Sequence, residues 1–361
     1  MSRLPPVRVA RAATGVRTGL QALARRMVPA EVGLLELMSG FMATHAVYAA
    51  ARLGIADVLA RGPRSAGDVA AELGTSPDAT YRLLRACAAA GVFHEEADGR
   101  FALTATANAL RADTPDSMRS VVLMIGDPRY QSVWGRLPES VTSGLPGAEA
   151  VHGVSMWELL DRDPDYADTF NDAMTRLTTL DWPTVAAAYD FSTFPRIVDI
   201  GGGHGQLLAL MLGAAPAAHG ILLERESLIA GALERLREAG VLSRCRLDAG
   251  SFFDTAPDDG DLYVLRRVVH DFDDDRAVAL LSNLRRHMPR RATLLLMESV
   301  VPPGNEPHFA KSLDLDMLLF VGGRERTEVE FGALLDRAGF EMTRVVPTIS
   351  MISLVEARPA D

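Results

Sequence analysis

"IVDIGGGHGQLLALML", Ile197 to Leu212, is where the fold can be read. A short apolar run around Asp199 breaks at Gly201, Gly202, Gly203 and Gly205, and a second apolar run follows at helical length. That is a strand, a tight turn and a helix. Glycines let the turn close and let a backbone come up against a ligand. A nicotinamide fingerprint, G-x-G-x-x-G, fails here: its third glycine would fall on Gln206 or Leu208. The spacing that fits is D-x-G-x-G-x-G, on Asp199, Gly201, Gly203 and Gly205. The dinucleotide pattern brings a helix N-terminus onto a pyrophosphate. S-adenosylmethionine has no phosphate. It needs a close backbone approach for its amino-acid end and a carboxylate for its ribose. Glu224 closes the next strand, nineteen residues after Gly205, and a carboxylate there accepts from two ribose hydroxyls. A glycine turn with no ligand is the plainer alternative; four matched positions and the acidic strand end favour the cofactor.

Outward from this stretch the chain alternates. Strands are expected at 196–200, 220–224, 245–249, 261–267 and 293–299, with helices near 205–214, 227–239, 274–288 and 328–338. Closing strands at 340–348 and 351–358 have almost no connector, which predicts an antiparallel hairpin at the sheet edge. The class is α/β, with a Rossmann-like, doubly wound and largely parallel sheet. Upstream, 31–61 reads as helical and ends at Gly62-Pro63. Ser65 caps a helix running to Gly74, a second helix covers about 77–90, and Asp98-Gly99 turns a hairpin. Helix, turn, helix and hairpin make a winged-helix pattern. Residues 105–190 read as mostly helical. The divisions are therefore 1–30, 31–110, 111–180 and 181–361.

Composition narrows the function. The net charge of −10 opposes a chain built to coat nucleic acid or anionic lipid. Apolar runs stop well short of a membrane span, and two distant cysteines fit a reducing compartment, so a cytoplasmic location is expected. Residues 1–30 carry six arginines and no acid. A loosely ordered basic extension is expected there in preference to an organelle import signal. A DNA-binding winged helix would want a basic recognition helix, yet 77–90 offers only Arg82 and Arg85 against Asp78. No metal site is expected. The acids Asp271, Asp273, Asp274 and Asp275 lack a calcium loop's spacing and suit a helix start.

His270 lies just past the fourth strand, where ligands gather in open α/β sheets. A phenol, with a pKa near ~10, is mostly protonated at neutral pH. A neutral imidazole within reach takes that proton as the oxygen attacks, provided a carboxylate holds its tautomer. Glu298, ending the fifth strand, and the adjacent Asp271 are the acids at hand. A buried core histidine is the alternative.

"VDIGGGHG", "GSFFD", "LRRVVHDFDDDRA", "LLLMESVVP" and "LDLDMLLFVGGRERTEVEFGALLDRAGF" occur in one order. Together they resemble the plant and bacterial small-molecule O-methyltransferases, over roughly residues 35–358. The resemblance implies a seven-stranded methyltransferase sheet, an N-terminal winged-helix domain that forms a homodimer, no metal, and a small aromatic substrate bearing a hydroxyl. It implies His270 as general base with Glu298 positioning it and Asp271 beside them. It also implies a cofactor set of Asp199, Gly201, Gly203, Glu224, Ser251, Phe252 and Arg266, and substrate contacts at Met174 and Met317; Phe320 is a pocket candidate by residue type, with core packing the alternative for each. Trp134 and Trp157 are further pocket candidates. The chain departs from the family at the adenosine end, with Glu224-Arg225-Glu226, Ser251 and Phe272. Some relatives keep the cofactor and hydroxylate or decarboxylate instead, so that chemistry stays open as an alternative.

Overall fold

A computed structural model describes residues 7–361; the first part of the basic stretch, with Arg3, lies outside them. Val7–Arg26 is a helix, where a loosely ordered extension was expected. Its alanines, leucines and arginines are good helix formers and no proline interrupts them. The next helix, Ala30–Leu53, ends at Gly54, whose φ of 73° stops it, so the helical run expected over 31–61 is two pieces, the second being Ile55–Leu59.

The chain forms two compact units. One is built on Val16–Ser132 with Asp163–Leu177. Here Ser65 caps Ala66–Leu73, and Ser76, with Pro77 at the first helical position, caps Pro77–Ala89. Strands β1 (Phe93–Glu95) and β2 (Phe101–Leu103) pair antiparallel. The core gathers Ile55, Leu59, Leu84, Cys87, Phe93 and Phe101. Large apolar side chains along Ala30–Leu53, among them Leu35, Leu37, Met38 and Phe41, stay exposed.

The other unit is built on Val133–Arg162 with Thr178–Asp361. The helical stretch expected at 111–180 is thus shared between the units, and the helix Pro164–Ala188 contributes to both. Its sheet holds β3 (Arg196–Ile200), β4 (His219–Glu224), β5 (Cys245–Ala249), β6 (Leu262–Arg266), β7 (Thr293–Glu298), β8 (Phe340–Pro347) and β9 (Ser353–Pro359), in the order β5-β4-β3-β6-β7-β9-β8. The first five are parallel; β9 runs antiparallel to β7, and β8 completes the edge hairpin. Side chains alternate between two cores. Val198, Ile200, Tyr263, Leu265, Leu294 and Leu296 enter one; Ile197, Leu222, Leu262, Val264, Leu295 and Met297 enter the other. A sheet covered on both faces is why these strands read as unbroken apolar runs. The strand order reverses direction between β3 and β6, and ligands bind at such a switch point, beyond the C-terminal strand ends.

Candidate active site

Two clusters lie at those strand ends. The first is made largely of backbone. Gly201, Gly203 and Gly205 have φ of 68°, 56° and 74°, a region L side chains rarely adopt. Gly202 covers Asp199: a Cβ there would come within 2.4 Å of Asp199 Oδ2. A Cβ on Gly203 would meet nothing within 4 Å, so that side of the loop is open. Glu224 is buried at the end of β4 and accepts from the backbone N–H groups of Gly203 (2.8 Å) and Arg225 (2.7 Å). Its oxygens keep lone pairs for further donors. Asp199 is fully buried with no hydrogen-bond partner on either carboxylate oxygen. Burial, reinforced by Glu224, pushes its carboxyl up to about 7.

Arg267, which the sequence reading did not single out, follows β6; where burial raises the carboxyls of Asp271, Glu298 and Glu325, its charge lowers them. It is the one non-glycine with positive φ (53°) among the described residues. Its Nε and Nη2 are buried without a hydrogen-bond partner, with Nη2 3.8 Å from Asp181. Arg266, expected in the cofactor set, donates to that same Asp181 at 2.7 Å. A buried carboxylate short of partners, a glycine backbone open on one side and a braced carboxylate at the next strand end suit a ligand with a cationic group and a diol. The residues present therefore fit S-adenosylmethionine. Phe252 stands against Gly201, its ring 3.4 Å from where a Cβ would lie, and meets Phe272 edge-on. Ser251 is exposed, and its hydroxyl accepts from the Phe253 N–H.

The second cluster is made of side chains. The turn Val269–Asp271 follows β6 and buries His270. His270 Nδ1 lies 2.7 Å from Glu325 Oε1 and 3.8 Å from Glu298 Oε2. The hydrogen bond expected from Glu298 is thus made by Glu325, inside the "GGRERTEVEF" block. Glu298 instead accepts the backbone N–H groups of Val268 (3.2 Å) and Val269 (3.0 Å), bracing the turn that carries the histidine. Asp271 Oδ1 is 3.5 Å from His270 Nε2. Burial is the leading cause that raises the carboxyls of Asp271 (to about 7), Glu325 (to about 8) and Glu298. His270, Glu298 and Glu325 also offer one ligand-type atom each within 4.8 Å of one another, the one such group among the described residues.

Of the pocket candidates, Met317 and the buried Phe320 share the helix Ala310–Phe320, and Trp134 Nε1 donates to Asp316 on it at 3.1 Å. Met174 belongs to the other unit, where it packs beside Phe170 and Leu177 against Val121, Met124 and Ala173. Trp157 lies on the helix Met156–Arg162. No helix among the described residues is long and apolar enough to cross a membrane.

A mostly parallel sheet with a glycine loop and a paired histidine at its switch point marks a cofactor-binding α/β enzyme class. Comparison with known proteins gives its kind. Residues 134–341 match the O-methyltransferase domain family and residues 35–113 the O-methyltransferase dimerisation domain. The chain is 42% identical to phenazine O-methyltransferase PhzM of Lysobacter antibioticus over 332 residues, 92% of this chain and 97% of that protein. The crystal structure of LaPhzM aligns with a TM-score of 0.87 and 42% identity, covering 92% of this chain and all of that one. NcsB1 from neocarzinostatin biosynthesis, solved with S-adenosylmethionine and 2-hydroxy-5-methyl naphthoic acid, aligns with a TM-score of 0.76 at 33% identity, over 88% and 95% of the two chains. The chain belongs to the O-methyltransferase family. It is an S-adenosylmethionine-dependent methyltransferase, and its dimerisation domain supports a homodimer.

Proposed function

We propose that the enzyme methylates a hydroxyl, phenolic in character, on a small aromatic metabolite of secondary metabolism in the cytoplasm, with His270 as general base. The observation that carries this reading is the 2.7 Å contact between His270 Nδ1 and Glu325 at the switch point. An Nδ1–H donating to Glu325 leaves Nε2 with its lone pair. Nε2 takes the acceptor's proton as the oxygen attacks, and the imidazolium so formed is balanced by Glu325, Glu298 and Asp271. S-adenosylmethionine supplies, when bound, a methyl group on a positively charged sulfur. Asp199 and the open face of Gly203 would hold its amino-acid end, and Glu224 its ribose. Phe252 would lie along the adenine. Met317 and Phe320 offer polarizable contacts for a flat ring.

The test is a transfer screen with labelled cofactor over phenols, hydroxyquinones and aromatic amines, run on the wild type and His270→Ala. With an un-ionised phenol the variant should lose ~10²–10⁴-fold in rate, the scale of positioned proton transfer, while cofactor affinity holds. An acceptor already ionised should restore it. Undiminished turnover of the un-ionised phenol by His270→Ala would refute the base role and leave proximity as the driver. Cofactor binding with no transfer to any acceptor would favour the non-methylating chemistry instead.

A further inference from the structure

We infer that Arg326 is a positioning residue: it holds the backbone of the His270 turn in register with the glutamate that sets the imidazole. The inference rests on the base role proposed above. The turn between Val268 and Phe272 leaves the sheet, so its carbonyls need partners elsewhere. One short segment supplies three of them. Arg326 Nη1 donates to Val269 O (3.2 Å), the Arg324 N–H to His270 O (2.9 Å), and Arg326 Nη2 to Phe272 O (2.9 Å). The guanidinium is 1% exposed and spends its remaining reach on Arg324 O, from Nη1 at 3.3 Å, and on Asp274 Oδ1, from Nε at 3.0 Å and Nη2 at 2.8 Å. Behind it, Arg326 O accepts from the Val301 N–H, just after β7. The segment lies so close to the turn that a Cβ on Gly323 would come within 2.0 Å of His270 O.

Glu325 sits between the two arginines. The histidine is therefore gripped by its ring from residue 325, by its own carbonyl from residue 324, and through the flanking carbonyls of Val269 and Phe272 from residue 326. A guanidinium suits this place because its planar fork serves two divergent carbonyls and a carboxylate together; an ammonium is a point charge on a flexible stem. Without the fork, Val269 O and Phe272 O are buried with one partner fewer, and the turn is free to shift against Glu325. A shift of about 1 Å at a reacting group costs about 10²-fold in rate.

Arg326→Met and Arg326→Lys, compared with wild type and His270→Ala, test this. In ¹⁵N-histidine-labelled protein the Nδ1–H proton bonded to Glu325 is assigned by its loss in His270→Ala. Arg326→Met should broaden or abolish that resonance and lower kcat by about 10²-fold, with KM for S-adenosylmethionine unchanged. Arg326→Lys should fall between, and an ionised acceptor should recover much of the rate in both. A folded Arg326→Met with the wild-type resonance and kcat overturns the inference. If Arg326→Met does not fold, Arg326→Lys decides: a wild-type resonance and rate overturn it, partial loss of both supports it. Full activity in His270→Ala would remove the base role, while the resonance still reports whether Arg326 sets the imidazole.

Discussion

The two ends of the site are built from different materials. At the end of β3 and β4 stand a glycine backbone, open on one side at Gly203, and the carboxylate of Glu224. At the end of β6 and β7 they are buried side chains from three distant segments, His270, Glu298 and Glu325, tied to one another and to the turn beneath. On the proposed reading the first end binds by leaving room and the second acts by leaving none. Damage to the first should therefore appear as lost affinity, and damage to the second as lost turnover at saturation.

The hardest strike on that division is Glu325→Gln. Its amide can donate to Nδ1 and so fix the tautomer that carries the proton on Nε2. kcat should fall by ~10²–10⁴-fold while calorimetry finds cofactor affinity intact. Equal losses in both would collapse the distinction between the ends. Glu224→Ala is the mirror test: S-adenosylmethionine affinity should weaken by ~1.5–3 kcal/mol, as for a charged hydrogen bond, with kcat at saturation preserved. Glu298→Gln should be milder, about tenfold in kcat, because its amide oxygen can still accept from Val268 and Val269. A loss as large as that of Glu325→Gln would return to Glu298 the role first expected of it. The smallest effect concerns pH. Burial raises the Asp271 carboxyl to about 7 and the Glu325 carboxyl to about 8, so each takes up a proton as pH falls through that range. A protonated Glu325 donates to Nδ1 and closes Nε2. The rate should rise with pH across about 7 to 8, and an ionised acceptor should flatten the rise; a profile flat from pH 6 to 9 with a neutral phenol would exclude this coupling.

The same contrast governs what the sequence discloses. The strand–glycine–helix run is contiguous, and its spacing alone rejects a dinucleotide; Glu224 follows at the end of the next strand. The edge hairpin and the winged-helix pattern were legible for the same reason, through Ser65, Ser76, Pro77 and the 98–99 turn. His270 could be found from its place after a strand. Its partner could not: Glu298 and Glu325 both end or follow apolar segments, and only the folding of the 322–327 segment against the turn decides which reaches Nδ1. Arg267 escaped because a left-handed arginine leaves no local mark; its neighbour Arg266 looked the better cation, yet that one is committed to Asp181. The basic N-terminal stretch misled in the opposite direction, since its lack of acids drew attention from its helix-forming residues.

The lone carboxylate under Gly202 carries a thermodynamic consequence. Asp199 keeps its proton to about 7 in the fold, against 3.8 when exposed, so the folded chain binds more protons than the unfolded chain between those values. Stability from this group is full below the lower value and drains away as pH climbs to the upper one. The empty enzyme is thus weakened below the range in which the rate is expected to rise, and a cationic ligand beside Asp199 offsets the loss. Melting curves should show the gap between loaded and empty protein widening from about pH 4 to about pH 7 and levelling off above it, so that occupancy by cofactor also decides how long the protein survives.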